Sequence, residues 1–405
     1  MTRKGRKSKK LVLCLDTGTS LIKVMYRTGT GLVKHLCMDA MLLKLPASSA
    51  SSLPQSSGLG KPEDNAWIQL HPNGDCYVVG RLAQEYRASV SIKKLKYESI
   101  VPKVLAVVAA IAAIEPMYSE IELQLGLLLP YGEYSNAGEI EAELAEAAKE
   151  FFFQGQPFKI ELSKYRCYPE GYGLAMSHAN RLTIEQFQRQ TFAYLMFGYR
   201  NTSLLLFRHG TLSRAQSRTT QLGFYDSIDK VTSKVSGLSR EEVQASIRTV
   251  EEDFYNTAKV NRDKHLVTKI VVEDLIKSTD SNKAAKEKGD IEAAIKTGTQ
   301  EYWQLIINWL DEVLPPLSQL NEVVYCGGTS EFLKDKLIDY FASKDKLLRV
   351  SSSSIEEKEL IEALQLDERK LKSFKEQNLA LRFADNWSLF VNFAGYEAKE
   401  QQAVA

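Results

Sequence analysis

The sequence predicts an α/β chain of two or three domains. Three observations carry this. A length of 405 residues exceeds what one hydrophobic core ordinarily serves and points to two or three domains. Alternating apolar runs (Glu120 to Pro130, Phe158 to Tyr168) are interleaved with helical patterns (Lys103 to Ile114, Ala137 to Lys149). Two further apolar strands, one near each end of the chain, run into turns rich in glycine and hydroxyl residues.

The first of these is Leu11 to Tyr26, LVLCLDTGTSLIKVMY. A strand over Leu11 to Leu15 ends in Asp16, turns through Thr17, Gly18, Thr19 and Ser20, and returns through Ile22, Val24 and Tyr26. The period of two in the return favours a hairpin over a strand-to-helix phosphate loop. Gly18 permits close backbone approach to an anion, the amides and hydroxyls can hold phosphate oxygens, and Lys23 adds a point charge. Asp16 is placed to hold Mg²⁺ through its water shell. A Gly/Ser/Thr hairpin without a ligand fits the same spacing.

The second is Asn321 to Leu333, NEVVYCGGTSEFL. A short strand, Val323 to Cys326, leads through Gly327, Gly328, Thr329 and Ser330 into a helix expected from about Glu331. Paired glycines and hydroxyls at a helix N-terminus make a second seat for an anion or nucleotide.

Together the two stretches resemble the actin-like ATPase superfamily of actin, chaperone ATPases and sugar kinases. DTGTSLIK stands at the family's first phosphate loop, VVYCGGTSEFL at its adenosine loop, and their separation of about three hundred residues fits. Length and the C-terminal RFADNWSLFVNFAGYE look most like bacterial plasmid-segregation actins of the ParM/StbA kind. The resemblance implies a duplicated ribonuclease H-like fold with ATP (or ADP) and Mg²⁺ in a cleft between the domains.

Charge does not imply a globally basic DNA-binding surface: 52 basic residues face 51 acidic ones. Arg3, Lys4, Arg6, Lys7, Lys9 and Lys10 crowd the first ten positions, and taking those six from the formal net charge of +1 leaves −5 for the rest. Residues 1–10 read as a solvated basic tail, with direct nucleic-acid contact as the sharper alternative. Cys14, Cys37, Cys76, Cys167 and Cys326 are scattered without a CxxC pair, which suggests neither zinc nor a disulfide framework. No apolar leader opens the sequence, and the run Val104 to Ile114 is short for a bilayer. A soluble cytoplasmic protein is expected.

Leu32 to Leu45 is expected to supply one strand. Pro46 to Gly60 reads as a loop by composition. Trp67 to Leu70 and Cys76 to Gly80 read as a hairpin across an Asn-Gly turn. His35 and His71 have no metal-ligand spacing. Residues 11–185 are expected to form domain I, with a small inserted subdomain at about 34–98.

Pro169-Glu170-Gly171 precedes a helix over Tyr172 to Ala179. It is similar to the ParM-type segment whose glutamate positions the attacking water, which implies that role for Glu170. A helix-start carboxylate favoured by the macrodipole is the plainer reading. The family's second phosphate loop carries an aspartate before Gly-Gly and hydroxyl residues. Here the matching stretch is Phe192 to Phe207, FAYLMFGYRNTSLLLF. Gly198, Asn201, Thr202 and Ser203 keep the turn, but Met196 stands at the aspartate position and Arg200 adds a charge. Since phosphoryl transfer depends on positioning and charge neutralisation, slowed hydrolysis is expected.

Gly223 precedes an amphipathic helix (Ile228, Val231, Val235), and Ser239 with Glu242 forms a capping box. Residues 239–295 are expected to be polar and helical, with Asp280 to Lys288 a charged connector. Thr299 to Leu314 reads as a core helix ending at Pro315-Pro316. Leu347 to Val350 reads as a strand, and Phe383, Trp387, Phe390, Phe393 and Tyr396 mark a last helix. Residues 186–345 are expected as domain II, with a helical subdomain at about 237–298, and residues 346–405 as a segment returning to domain I.

The resemblance implies a head-to-tail homopolymer for plasmid segregation, working through a DNA-binding adaptor, with slow ATP hydrolysis. The residues expected at the nucleotide are Asp16, Gly18, Thr19, Ser20, Lys23, Gly198, Asn201, Thr202, Gly327, Gly328, Thr329 and Ser330, with Glu170 as the catalytic residue. Asp16 is expected at the metal. A non-hydrolysing nucleotide-binding scaffold and, more remotely, a small-molecule kinase are the alternatives. No acceptor motif supports the kinase.

Overall fold

The computed structural model describes residues 8–29, 31–55, 60–86, 95–115, 117–254 and 263–395. Arg3, Lys4, Arg6 and Lys7 of the basic arm, and Tyr396 of the last aromatic run, lie outside them. The chain divides into two units, Met1–Ser177 with Asp385–Ala405, and His178–Ala384.

In unit 1, β1 (Ser8–Thr17), β2 (Ile22–Thr28) and β3 (Lys34–Met38) form an antiparallel meander. There follow β4 (Leu42–Leu45), β5 (Trp67–Gln69), β6 (Cys76–Val79), α1 (Arg81–Glu85), α2 (Ile100–Ile114) and β7 (Met117–Leu129). Then come α3 (Ala137–Ala147), β8 (Phe151–Phe153), β9 (Gln156–Pro169) and the start of α4 (Tyr172–Arg181). The nine strands order as β3-β2-β1-β7-β9-β8-β5-β6-β4. β7 lies parallel between β1 and β9. It is flanked by a strand on both edges, and its end, Leu125 to Leu129, is continuously apolar and buried.

Three expectations change here. The stretch Leu32 to Leu45 makes two strands. A turn in which Met41 N donates to Asp39 Oδ1 (2.9 Å) separates β3, paired with β2, from β4, paired with β6. β3 therefore belongs to the edge beside β2, and β4 to the opposite edge beside β6. Lys9 and Lys10, expected in a tail, extend β1, and Lys10 registers with Glu122 of β7. The apolar helix also begins earlier than its densest run. With its leading turn, Tyr97–Ile114 is long and apolar enough to cross a membrane, yet that stretch is 72% buried inside the protein. Val104, Val107, Val108 and Ile111 of α2 are fully buried in the core that also holds Leu13, Leu123 and Leu125, so packing accounts for its composition.

Unit 2 opens with α5 (Ile184–Gln188), β10 (Thr191–Phe197), β11 (Thr202–Arg208), β12 (Thr211–Leu212) and β13 (Arg218–Thr220). α6 (Phe224–Thr232), α7 (Arg240–Ala245), β14 (Ile247–Phe254), β15 (Asp263–Ile270) and α8 (Ser281–Val313) follow. The unit continues with β16 (Glu322–Cys326), α9 (Gly328–Lys344), β17 (Arg349–Ser352), α10 (Ser354–Leu364), α11 (Glu368–Glu376) and the first part of α12 (Leu379–Phe393). Its main sheet runs β12-β11-β10-β16-β17. An antiparallel hairpin on one side of β10 and parallel β16 and β17 on the other repeat the β3-β2-β1-β7-β9 arrangement of unit 1. The duplication is in topology; no sequence repeat announces it.

The expectation of helix throughout 239–295 is overturned. β14 and β15 pair as a hairpin over eight positions, Ile247↔Ile270 to Phe254↔Asp263. Asp280 to Lys288 is the start of a 33-residue helix, not a connector. Asp280 caps it by accepting from the amides of Asn282 and Lys283. Gly298 lets α8 approach α6, since a Cβ there would lie 2.8 Å from Val231 N. The C-terminal boundary also moves. β17 pairs β16, which holds residues 346–384 in unit 2 and leaves only the chain from Asp385 with unit 1.

Candidate functional site

In unit 1 the strand β1 carries Asp16 and Thr17 to its end, and four residues turn the chain into β2, the last pairs being Asp16↔Lys23 and Thr17↔Ile22. Only glycine fits at position 18: a Cβ would meet Leu21 O at 2.6 Å. In unit 2 the hairpin of β10 and β11 closes the same way, with Met196↔Ser203 and Phe197↔Thr202 around a four-residue turn. A Cβ at Gly198 would meet Asn201 O at 2.9 Å. The registers make Met196 the counterpart of Asp16, so the missing carboxylate is a feature of the second hairpin.

Lysines surround Asp16. Lys23 Nζ lies 2.5 Å from Oδ2 and Lys96 Nζ 3.2 Å from Oδ1. Lys96 also bonds Glu170 Oε1. These side chains are 7 to 16% exposed. Burial pushes the Asp16 carboxyl up, but Lys23 and Lys96 outweigh it and hold it at about 2. For Lys96, burial alone lowers the ammonium; Asp16 and Glu170 reverse this and keep it firmly charged. Thus Asp16, Lys23 and Glu170, chosen from sequence, form one cluster whose bridge, Lys96, the sequence reading missed. No motif surrounds Lys96, and it is far from its partners along the chain.

Asp385 was also missed. Its Oδ2 accepts the Gly171 amide at 2.7 Å and its Oδ1 the Leu174 amide at 3.2 Å, which caps α4 and fixes the Pro169-Glu170-Gly171 turn. Burial pushes its carboxyl up, the two amides pull it back, and the charges of Asp16 and Glu170 add to the rise, leaving it at about 7. A Cβ at Gly173 would fall 2.2 Å from Asp385 O, so α4 and the second part of α12 touch backbone to backbone. Asn386 Nδ2 donates to Lys23 O at 2.9 Å. The DN of RFADNWSLF therefore braces both the hairpin and the Glu170 turn.

In unit 2 the Gly198–Asn201 turn meets the start of α9. Thr329 Oγ1 donates to Gly198 O at 2.9 Å. Gly327 adopts φ +98°, and a Cβ on it would strike Phe197 O at 2.4 Å. The helix begins at Gly328, three residues before the expected Glu331. Several expected phosphate donors are already engaged: Thr202 Oγ1 donates to Leu222 O (2.6 Å) and Ser330 Oγ to Gly327 O (2.7 Å). What these turns present to an anion is therefore chiefly backbone. In unit 1, Thr17 Oγ1 is buried and has no hydrogen-bond partner among the described residues, a polar atom that an anion or water would satisfy.

The Mg²⁺ implied for Asp16 does not fit this residue set. Both Asp16 oxygens face ammonium groups, and Glu170 faces one of the same groups. Among the described residues no group of three or more His, Cys, Asp or Glu gathers as metal ligands.

Comparison with solved structures decides the fold. Aligned with the actin-like protein Alp7A, the chain is 15% identical with a TM-score of 0.59, over 98% of this chain and 99% of that one. The fold is actin-like. A 15-stranded ParM filament subunit from Clostridium botulinum gives 14% identity and a TM-score of 0.55, over 93% and 99%. The pSK41 ParM protein gives 10% and 0.52, over 98% and 100%. Residues 236–358 match the family model of the Alp7A C-terminal domain, a span within unit 2 that starts just before α7 and ends in α10. No curated protein sequence matches the chain. Within the actin-like fold, the two hairpin turns around Gly18 and Gly198 are the repeated first hairpins of the duplicated sheets.

Proposed function

We propose that this protein is a nucleotide-binding actin-like protein that polymerises into filaments, hydrolyses ATP slowly, and serves plasmid DNA segregation through a DNA-binding adaptor. The observation that carries the reading is the pair of matching glycine turns, Gly18–Leu21 and Gly198–Asn201, set at the same point of two topologically equal sheets. Backbone amides at such turns and at the start of α9 suit phosphate oxygens and are indifferent to the side-chain losses noted above. Self-association is supported by the structural relatives described as filaments. An interface that repeats without closing yields a polymer.

Slow turnover follows from two features. Met196 can neither orient water nor take a proton, and Glu170 is bound to Lys96, which withdraws it from an attacking water. The same two observations favour a second reading, a filament that holds nucleotide and does not hydrolyse it. Pelleting with ATP, ADP or a non-hydrolysable analogue, with phosphate release followed in the same tube, tests both. Polymer with ATP that shrinks as phosphate appears supports the ATPase, and Glu170→Ala should then keep assembly while slowing release. Polymer without phosphate moves the assignment to the static filament, and absence of polymer under every nucleotide overturns the proposal.

A further inference from the structure

The charge arrangement around Asp16 departs from a metal-dependent phosphate seat. Two carboxylates, Asp16 and Glu170, are met by two ammonium groups, with Lys23 on Asp16 Oδ2 and Lys96 shared between Asp16 Oδ1 and Glu170 Oε1. A dication held through its water shell requires carboxylate oxygens open to that shell and an excess of negative charge. Here both Asp16 oxygens and Glu170 Oε1 are engaged by ammonium groups, so two carboxylates are balanced by two cations. An ammonium group has three N–H donors. Lys96 spends two on Asp16 and Glu170, and Lys23 one on Asp16, so each retains donors for an incoming anion without releasing its carboxylate.

We propose that Lys96, with Lys23, supplies the positive charge that the phosphates of a bound nucleoside triphosphate need, so that nucleotide binding by this chain does not depend on a divalent cation. This rests on the nucleotide-binding reading above. Lys96 is then a binding residue as well as the bridge that holds Asp16 and Glu170 together. Its removal would free Asp16 Oδ1 and Glu170 Oε1 while Lys23 stays on Asp16 Oδ2, leaving the net negative charge that a dication favours.

The test is equilibrium binding of a fluorescent ATP analogue to the full chain, in excess EDTA and in excess Mg²⁺, for wild type, Lys96→Met and Lys96→Arg. Wild type is expected to bind with dissociation constants that differ by less than about tenfold between the two conditions. Lys96→Met is expected to weaken binding in EDTA by more than about tenfold and to recover part of it with Mg²⁺, whereas Lys96→Arg, which keeps the charge, stays cation-independent. Wild-type binding that weakens more than about tenfold in EDTA, or Lys96→Met binding in EDTA as wild type does, overturns the inference and leaves the nucleotide reading intact. No binding in either condition overturns the nucleotide reading itself. The folded arginine variant guards against misreading an unfolded methionine variant.

Discussion

Replacing Lys96 by methionine should destabilise unit 1 and leave unit 2 unchanged. The Nζ of Lys96 is 3.2 Å from Asp16 Oδ1, and at an effective dielectric near 20 that pair alone attracts by about 5 kcal/mol. Most of this offsets the desolvation of three buried charges. Removing the ammonium leaves Glu170 buried without its partner, while Asp16 keeps Lys23. Losing one member of a buried pair costs about 3 kcal/mol or more. The double variant Lys96→Met/Glu170→Gln removes the stranded charge too, so it should be less destabilised than the sum of the single variants by about 1.5–3 kcal/mol. Urea unfolding of protein labelled with 5-fluorotryptophan and read by fluorine NMR separates the units, because Trp67 and Trp387 belong to unit 1 and Trp303 and Trp309 to unit 2. The signals of Trp67 and Trp387 should shift to lower urea in Lys96→Met. A Lys96→Met midpoint equal to wild type, or a coupling energy near zero with Glu170, would refute the bridging role.

Unit 1 should also titrate in two opposite windows. Asp16 is held below its ordinary 3.8, at about 2, so its contribution is present above about pH 4 and is lost as pH falls through 2. Asp385 is raised from 3.8 to about 7, so stability declines as pH rises between those values, by up to about 4 kcal/mol; Asp385→Asn should flatten that decline in urea midpoints measured from pH 4 to 8. Gly18→Ala and Gly198→Ala force a Cβ within 2.6 and 2.9 Å of a backbone oxygen, and each should weaken nucleotide binding by about tenfold or more while destabilising by about 1–3 kcal/mol. Gly138→Ala, with nothing within 4 Å of the new Cβ, should instead stabilise α3 by about 0.5–1 kcal/mol in thermal melts and leave binding unchanged. Met196→Asp restores a carboxylate at the position equivalent to Asp16, and steady-state phosphate release should rise by about tenfold.

The sequence revealed this fold where signals were local. β1, β2, β7, β9, α2 and α6 are legible because an apolar period of 2 or 3.6 persists over five or more residues and a glycine marks the turn. The β14–β15 hairpin was not legible: its alternation is weak and its residues polar, so composition suggested helix. The first half of α8 was hidden because the charges of Asp280 to Lys288 resemble a linker, although buried Ile291, Ala294 and Gly298 continue the helical period that Tyr302 and Ile306 make plain. In the two units, Asp16, Gly18 and Glu170, and Gly198 and Gly327, stand in short motifs with a physical requirement, a tight turn or a strand end, and reading them needs no partner. Lys96 and Asp385 act through residues 80 and 214 positions away, and only the folded chain brings them to Asp16 and to the amide of Gly171. Commitment of Thr202 and Ser330 to backbone carbonyls was hidden for the same reason, since a hydroxyl beside a glycine turn reads as a phosphate donor until its acceptor is seen.

The most direct test of the account is electron microscopy of nucleotide-stripped protein before and after addition of ATP, with the Gly18→Ala/Gly198→Ala double variant alongside. Filaments that form from the wild type only after nucleotide is added, and that the double variant fails to form at the same concentration, are the predicted result. Filaments that form equally without nucleotide, or no filaments from wild type with ATP, would contradict a nucleotide-gated actin-like polymer.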